Sequence, residues 1–258
     1  MSGKLVDKVA IVTGAAAGMG KAIAEAYAKE GAKVILADVD SNRLDQVKND
    51  ITDAGGTAIA VKADMSKEED INAMVKAATD SYGKLDVLVN NAGIMDNFLP
   101  VGNVTDDVWT KVMAVNLTGP FMACRAAINI MNDQPNGGVI VNNASVGGLF
   151  GTRGGATYTA SKHGLVGLTK NIAATYGVYG KIRANAIAPG GVATDIEKKI
   201  TAPDPLGSKA LQAVSGAGNE LLTGQPEQIA SLAVFLASDD SSFVNGDIVK
   251  ADGGWTAA

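Results

Sequence analysis

A parallel α/β sheet is the fold class this sequence predicts, and three observations predict it. Short apolar runs of strand length recur along the chain, at Val9–Thr13, Lys33–Asp38, Thr57–Lys62, Val87–Asn90, 139–141, 182–187 and 247–250. Several are continuously apolar rather than alternating, as expected of strands covered on both faces. Helical patterns separate them, and strands alternating with helices close into a parallel sheet through right-handed crossovers. No linker, low-complexity tract or internal repeat interrupts residues 1–258, so the chain reads as one domain.

Bulk composition narrows the function classes. A hydrophobic content of 47% with 19% charged residues can build a sizeable core. The formal net charge of −5 argues against a nucleic-acid or anionic-membrane surface. One cysteine, Cys124, cannot close an internal disulfide, and with one histidine, His163, a Cys/His metal site lacks ligands. No run reaches the roughly 18 apolar residues of a membrane span, and the opening residues lack the pattern of a secretory signal. The expectation is a soluble cytoplasmic protein with no metal.

The first strand runs directly into Gly14-Ala-Ala-Ala-Gly18-Met19-Gly20 and then a helical pattern through Lys29. Strand, glycine loop and helix in that order make a phosphate site. Glycines let a pyrophosphate approach the backbone, and the helix N-terminus offers unpaired N–H groups with a positive dipole end. The second strand ends in Asp38, a carboxylate suited to ribose hydroxyls and repulsive to a 2′-phosphate. No Lys or Arg lies in the glycine loop or at 39–42, and Arg43 is expected on the next helix. NAD(H) is therefore the expected cofactor, with NADP disfavoured by Asp38.

A helix at about 43–53 and a Gly55-Gly56 break lead to the third strand and Asp64, which either meets the adenine amino group or caps the helix after Ser66. The fourth strand ends in Asn90-Asn91, paired amides that predict a structural role in binding backbone groups. Residues 105–131 read as one long helix broken at Gly119-Pro120. A proline there removes a hydrogen bond and predicts a kink just after Asn116. The fifth strand delivers Ser145, and the sixth leads to Pro189-Gly190-Gly191-Val192-Ala193-Thr194. Residues 191–224, small and weakly periodic, have the composition of a substrate lid. A helix at Pro226–Ala237 and a last strand complete the domain.

Tyr158 and Lys162 stand four apart in Tyr-Thr-Ala-Ser-Lys, one helical turn along one face. An ammonium near a phenol favours the phenolate, which predicts a tyrosine pKa lowered toward working pH. Such a tyrosine can move a proton at a carbonyl or alcohol oxygen, and the Ser145 hydroxyl can hydrogen-bond the same oxygen. His163 turns to another face and is expected to be structural.

The ordered set TGAAAGMG at 13–20, Asp38, Asp64, NNAG at 90–93, Asn116, Ser145, YTASK at 158–162 and PGGVAT at 189–194 resembles the short-chain dehydrogenase/reductase family over essentially the whole chain. The resemblance implies a Rossmann-like, doubly wound, seven-stranded parallel sheet in three α/β/α layers, a nicotinamide cofactor and a homotetramer. It implies a catalytic group of Asn116, Ser145, Tyr158 and Lys162, with Asn116 keeping a water next to Lys162. For the cofactor it implies Gly14, Gly18, Met19 and Gly20 at the phosphates, and Asp38, Asp64, Met65, Asn91, Ala92 and Gly93 on the adenosine side. Tyr158, Lys162, Pro189, Gly190, Val192 and Thr194 fall to the nicotinamide end. Asn142-Asn143 before Ser145 departs from the smaller or hydroxylated residues common there.

The activity so implied is interconversion of a secondary alcohol and a ketone. A non-catalytic dinucleotide sensor would be expected to lose Ser145, Tyr158 or Lys162, and all three are present. A nucleotide-sugar epimerase or dehydratase would be expected to show a different glycine spacing and a longer C-terminal region. A 3-oxoacyl group on acyl carrier protein is the main alternative substrate. It is disfavoured because an acidic carrier docks through Lys and Arg, and residues 126–151 hold neither. Val146, Leu149, Phe150 and Val192 suggest an apolar wall for a small neutral ketone or alcohol.

Overall fold

The computed structural model describes residues 3–179, 181–196, 200–215 and 223–257. Seven strands form one sheet: β1 (Val9–Thr13), β2 (Lys33–Asp38), β3 (Thr57–Lys62), β4 (Val87–Asn90), β5 (Gly138–Asn143), β6 (Ile182–Pro189) and β7 (Ile248–Ala251). Their spatial order is β3-β2-β1-β4-β5-β6-β7, with every neighbouring pair parallel. The order reverses between β1 and β4, so a crevice opens there beyond the C-terminal ends of the strands.

The strands read as apolar on both faces because both are covered. Ala10 and Val12 of β1 belong to one buried cluster, with α1 (Gly18–Lys29), α2 (Ser41–Asp53) and α8 (Pro226–Ala237). Val9 and Ile11 belong to the other, with α3 (Glu68–Tyr82), α5 (Gly119–Asp133) and α6 (Ala156–Tyr179). The result is a three-layer α/β/α Rossmann-like fold, as the motif order implied.

The stretch at 105–131 resolves differently from the expected kinked helix. α4 (Asp106–Met113) continues through a single π turn, Ala114–Thr118, into α5, with right-handed helical backbone at each junction. The Gly119 N–H reaches back five residues to the Ala114 carbonyl. Pro120 sits in the first turn of α5, where its missing N–H is tolerated, so a widened turn replaces the predicted break. Gly119 is required there for another reason: a Cβ would lie 2.1 Å from the Met65 carbonyl oxygen.

Beyond β6, Val192 bridges to Gly224, and α7 (Pro205–Ser215) lies between them in sequence. Within the expected lid at 191–224, residues 197–199 and 216–222 lie outside the described residues. No helix among the described residues is long and apolar enough to cross a membrane.

Candidate active site

At the C-terminal edge of β1, β2 and β4 lies a cleft of about 340 Å³. Gly14 and Gly18 line it in left-handed backbone, φ 67° and 54°. A Cβ on Gly14 would sit 2.9 Å from the Ala92 Cα, so the loop can pass there only as glycine. Gly20 works by packing: a Cβ there would lie 2.0 Å from the Gly14 carbonyl oxygen. α1 starts at Gly18 with no side-chain cap from Ala17, which leaves its first N–H groups for an anion. The loop geometry and uncapped helix end thus fit a dinucleotide pyrophosphate.

Met19, Asp38, Asp64, Met65, Asn91, Ala92, Gly93 and Thr194 also line the cleft. Asp38 is placed by backbone: one carboxylate oxygen accepts the Ala16 N–H at 3.1 Å, the other the Asp40 N–H at 3.0 Å. Asp64 accepts both the N–H and the hydroxyl of Ser66, which hold its carboxyl below the usual range. It therefore closes a turn just ahead of α3 while still facing the cleft. Pro189, Gly190 and Val192 lie off the cleft wall, at the C-terminal end of β6, where the Gly190 N–H donates to Ala251 at 3.1 Å.

The sequence reading did not place two cationic residues in the cleft. Arg43 stands on α2 as expected, yet its first-turn position turns it into the cleft, where Nη1 lies 3.3 Å from Asp195 Oδ2. Lys111 of α4 lines the same cleft. The missed signal for Arg43 was its place in the first turn after a strand, where side chains overhang the C-terminal edge. Lys111 carried no local signal, because only the fold brings α4 there.

The paired asparagines are struts. Asn90 Nδ2 donates to Asn142 Oδ1 at 2.9 Å and to Cys124 Sγ at 3.2 Å, and Asn142 Nδ2 donates to Thr169 Oγ1 at 2.8 Å. Asn91 Nδ2 donates to the Thr13 carbonyl at 2.9 Å, tying β4 to the glycine loop. Asn143 Nδ2 donates to Asn91 Oδ1 at 2.8 Å. The Asn142-Asn143 pair thus answers Asn90-Asn91 across the sheet, a partnership that register alone reveals. Cys124 is buried within this network, its thiol pushed up to about 12 by desolvation.

Ser145, Tyr158 and Lys162 converge beside the cleft. A Cβ on Gly147 would lie 3.2 Å from Tyr158 Cε1 and 3.3 Å from Ser145 Oγ, so this glycine makes room for the pair. A Cβ on Gly93 would lie 3.5 Å from both Lys162 Nζ and Asn116 Oδ1. Lys162 is 4% exposed, donates to the Asn143 carbonyl at 2.8 Å, and holds Nζ 5.7 Å from the Tyr158 ring centre. Asn116 grips the chain after β4: Oδ1 accepts the Ile94 N–H, and Nδ2 donates to the Ile94 carbonyl, both at 2.9 Å. The same Nδ2 reaches Ser161 Oγ at 3.2 Å. His163 is exposed on another face, with Nδ1 3.0 Å from the Thr159 carbonyl.

The electrostatics depart from the expectation of a depressed tyrosine. Burial raises the Tyr158 phenol above its ordinary value, the Ser145 hydroxyl pulls it back, and the Asp96 charge adds to the rise. Burial lowers the Lys162 ammonium to about 8. In the chain alone, desolvation outweighs the pairing of the two groups.

Over residues 14–256 the sequence matches the family profile described as Enoyl-(Acyl carrier protein) reductase. It is 41% identical over 253 residues to 3beta-hydroxysteroid dehydrogenase 2 of Eggerthella lenta, covering 98% of this chain and 96% of that protein. The chain belongs to the short-chain dehydrogenase/reductase family. Among solved members, levodione reductase superposes with a TM-score of 0.89 at 39% identity, covering 98% of this chain and 99% of that one. A Beutenbergia cavernae structure described as an NAD(P)-dependent gluconate 5-dehydrogenase, with NADP bound at low occupancy, gives 0.86 at 36% identity and 99% coverage of each chain. Short-chain dehydrogenase/reductases bind a nicotinamide dinucleotide, and the glycine loop and cleft described above fit one.

Proposed function

We propose that this protein catalyses reversible hydride transfer between NAD(H) and a secondary alcohol or ketone. The observation that carries the reading is the convergence of Ser145, Tyr158 and Lys162 at the edge of a cleft built for a dinucleotide. The bound nicotinamide supplies the hydride acceptor or donor. Tyr158 passes the proton to or from the substrate oxygen, and Ser145 orients that oxygen and steadies its developing charge. Lys162, hydrogen-bonded to Asn143, stands behind the phenol and favours its ionised form once charged. Its lowered pKa lets the ammonium itself release a proton near neutral pH.

Asp38 supports a preference for NADH, since its carboxylate faces the cleft where a 2′-phosphate would lie. Arg43 opposes that preference less than its position suggests, because it is engaged with Asp40 and Asp195. Exposed apolar side chains on α4 and α5, Trp109 at 44% and Phe121 at 45%, support assembly into a homotetramer.

A small neutral substrate fits better than an acyl carrier. Lys181 and Arg183, two of the basic residues beyond the 126–151 stretch, lie at the N-terminal end of β6, the sheet edge opposite the cleft. Arg183 spends its guanidinium on the carbonyls of Leu236, Ser238 and Val244. The apolar wall is narrower than the sequence suggested. Val146 is buried and Leu149 packs against Ala144, Val166 and Ala186, leaving Phe150 exposed. Initial rates with NADH on small cyclic and linear ketones, beside acetoacetyl-carrier protein, test the reading. Higher kcat/KM on the small ketones is expected, and a carrier-protein rate that leads and falls steeply with salt would contradict it.

A further inference from the structure

The chain after β4 carries a buried carboxylate that the proton-transfer group does not use. Asp96 is 2% exposed, and no Lys, Arg or His pairs with it among the described residues. Its two oxygens meet the start of the catalytic helix: Oδ1 accepts the Gly155 N–H at 3.1 Å and Oδ2 the Tyr158 N–H at 2.9 Å. The Ala156 N–H is met at 2.8 Å by the Leu99 carbonyl from the same segment. A carboxylate buried without a counter-ion is costly, and here the N-terminal N–H groups and dipole of α6 compensate it.

The fit is close on both sides. A Cβ on Gly155 would lie 2.3 Å from Asp96 Oδ1, so this glycine gives the carboxylate its seat. Immediately after Asp96, Asn97 and Phe98 both take left-handed backbone, φ 54° and 56°. Two consecutive non-glycine residues in that region are strained and persist only under surrounding constraint. The constraint is visible: the Asn97 carbonyl accepts the Asp204 N–H at 2.9 Å just before α7. A Cβ on Gly207 of α7 would lie 1.8 Å from the Phe98 carbonyl oxygen, so α7 presses on this segment.

We propose that Asp96 is a positioning residue for Tyr158, holding the tyrosine backbone through the first turn of α6 and setting the field at its phenol. The proposal rests on the reading of Tyr158 as the proton carrier. The charged groups brought toward Tyr158 can be named element by element. Lys162 comes from α6 itself, and Asp96 from the segment after β4. Lys111 of α4 faces the cofactor cleft, and Arg153, ahead of α6, stacks 4.4 Å from the Trp255 ring centre. Arg183 of β6 lies at the far edge, and the π turn contributes neutral Asn116. Asp96 is the anion of this set, so removing its charge favours the phenolate, consistent with its effect on Tyr158 above.

Asp96→Asn keeps the shape and removes the charge. Its acid limb in the pH profile of alcohol oxidation, read as kcat/KM, is expected to shift to lower pH by roughly half a unit or more, with kcat reduced at the wild-type optimum. Asp96→Glu is expected to keep the limb at its wild-type pH. An unshifted limb in Asp96→Asn, with only a lowered melting temperature, would mean that the carboxylate is a helix cap and nothing more. Should Asp96→Asn fail to fold, Gly155→Ala displaces the carboxylate without altering charge. A kcat loss of about tenfold or more at unchanged NADH affinity is expected, and wild-type kcat overturns the proposal. Tyr158→Phe is measured alongside: an active Tyr158→Phe enzyme sinks the proton-carrier reading itself, whereas an unshifted Asp96→Asn beside an inactive Tyr158→Phe sinks this inference alone.

Discussion

At the scale of single residues, burial governs the chemistry of the site more than pairing does. Tyr158 and Lys162 are one helical turn apart, and that spacing was legible in the sequence, but their surroundings were not. Desolvation raises the phenol and lowers the ammonium to about 8. The consequence for stability has a definite sign. An unfolded lysine titrates near 10.5, so between about 8 and 10.5 the unfolded chain holds more protons than the folded one. Stability gained from this group therefore rises with pH through that window, and the cost of burying the charge is fully present below it. Lys162→Met removes the titration. The stability difference, wild type minus Lys162→Met, is expected to increase from pH 8 to 10.5 in chemical denaturation without cofactor. A difference that stays flat or falls would mean that Lys162 is less desolvated than its 4% exposure indicates.

At the scale of elements, strand ends and first helical turns decide the cofactor. The sequence showed that β2 ends in Asp38 and that Arg43 sits on the following helix. It did not show that the first turn of α2 overhangs the cleft, because that depends on how helix and strand pack. The carboxylate and guanidinium now face the same space, with Arg43 held by Asp40 and Asp195. Wild-type kcat/KM is expected to favour NADH over NADPH. Asp38→Ala is expected to narrow that gap about tenfold or more, on the scale of about 1.4 kcal/mol for one like-charge repulsion removed, with Arg43 left to meet the phosphate. Equal wild-type use of both cofactors would contradict the reading. The α4–α5 junction teaches the same lesson about legibility. Gly119-Pro120 announced a disturbance, and only the wound helix showed it to be a π turn that Asn116 occupies.

At the scale of the whole molecule, strand–helix alternation and continuous apolar runs were enough to specify a parallel sheet covered on both faces. The motif order then implied seven strands in a doubly wound sheet, and the observed strand order places the switch point between β1 and β4. What stayed hidden were contacts between segments distant in sequence. Asn142-Asn143 meets Asn90-Asn91 only through strand register, and Asp96 meets Gly155 and Tyr158 only because β4 ends and α6 begins at the same edge. Assembly belongs to this scale too. With Trp109 and Phe121 exposed on neighbouring helices, light scattering at micromolar concentration is expected to give four times the 26.2 kDa chain mass. A monomer would contradict that expectation.

The central claim is that Tyr158 carries the proton in a nicotinamide-dependent alcohol–ketone reaction, and one comparison tests it most directly. Wild type and Tyr158→Phe are assayed by absorbance of the reduced nicotinamide on the best ketone of the panel, with NADH binding measured separately. General acid–base catalysis contributes about two to four orders of magnitude in rate. Tyr158→Phe is therefore expected to lose at least a hundredfold in kcat while binding NADH as tightly as wild type. A Tyr158→Phe enzyme retaining half the wild-type kcat would contradict the account.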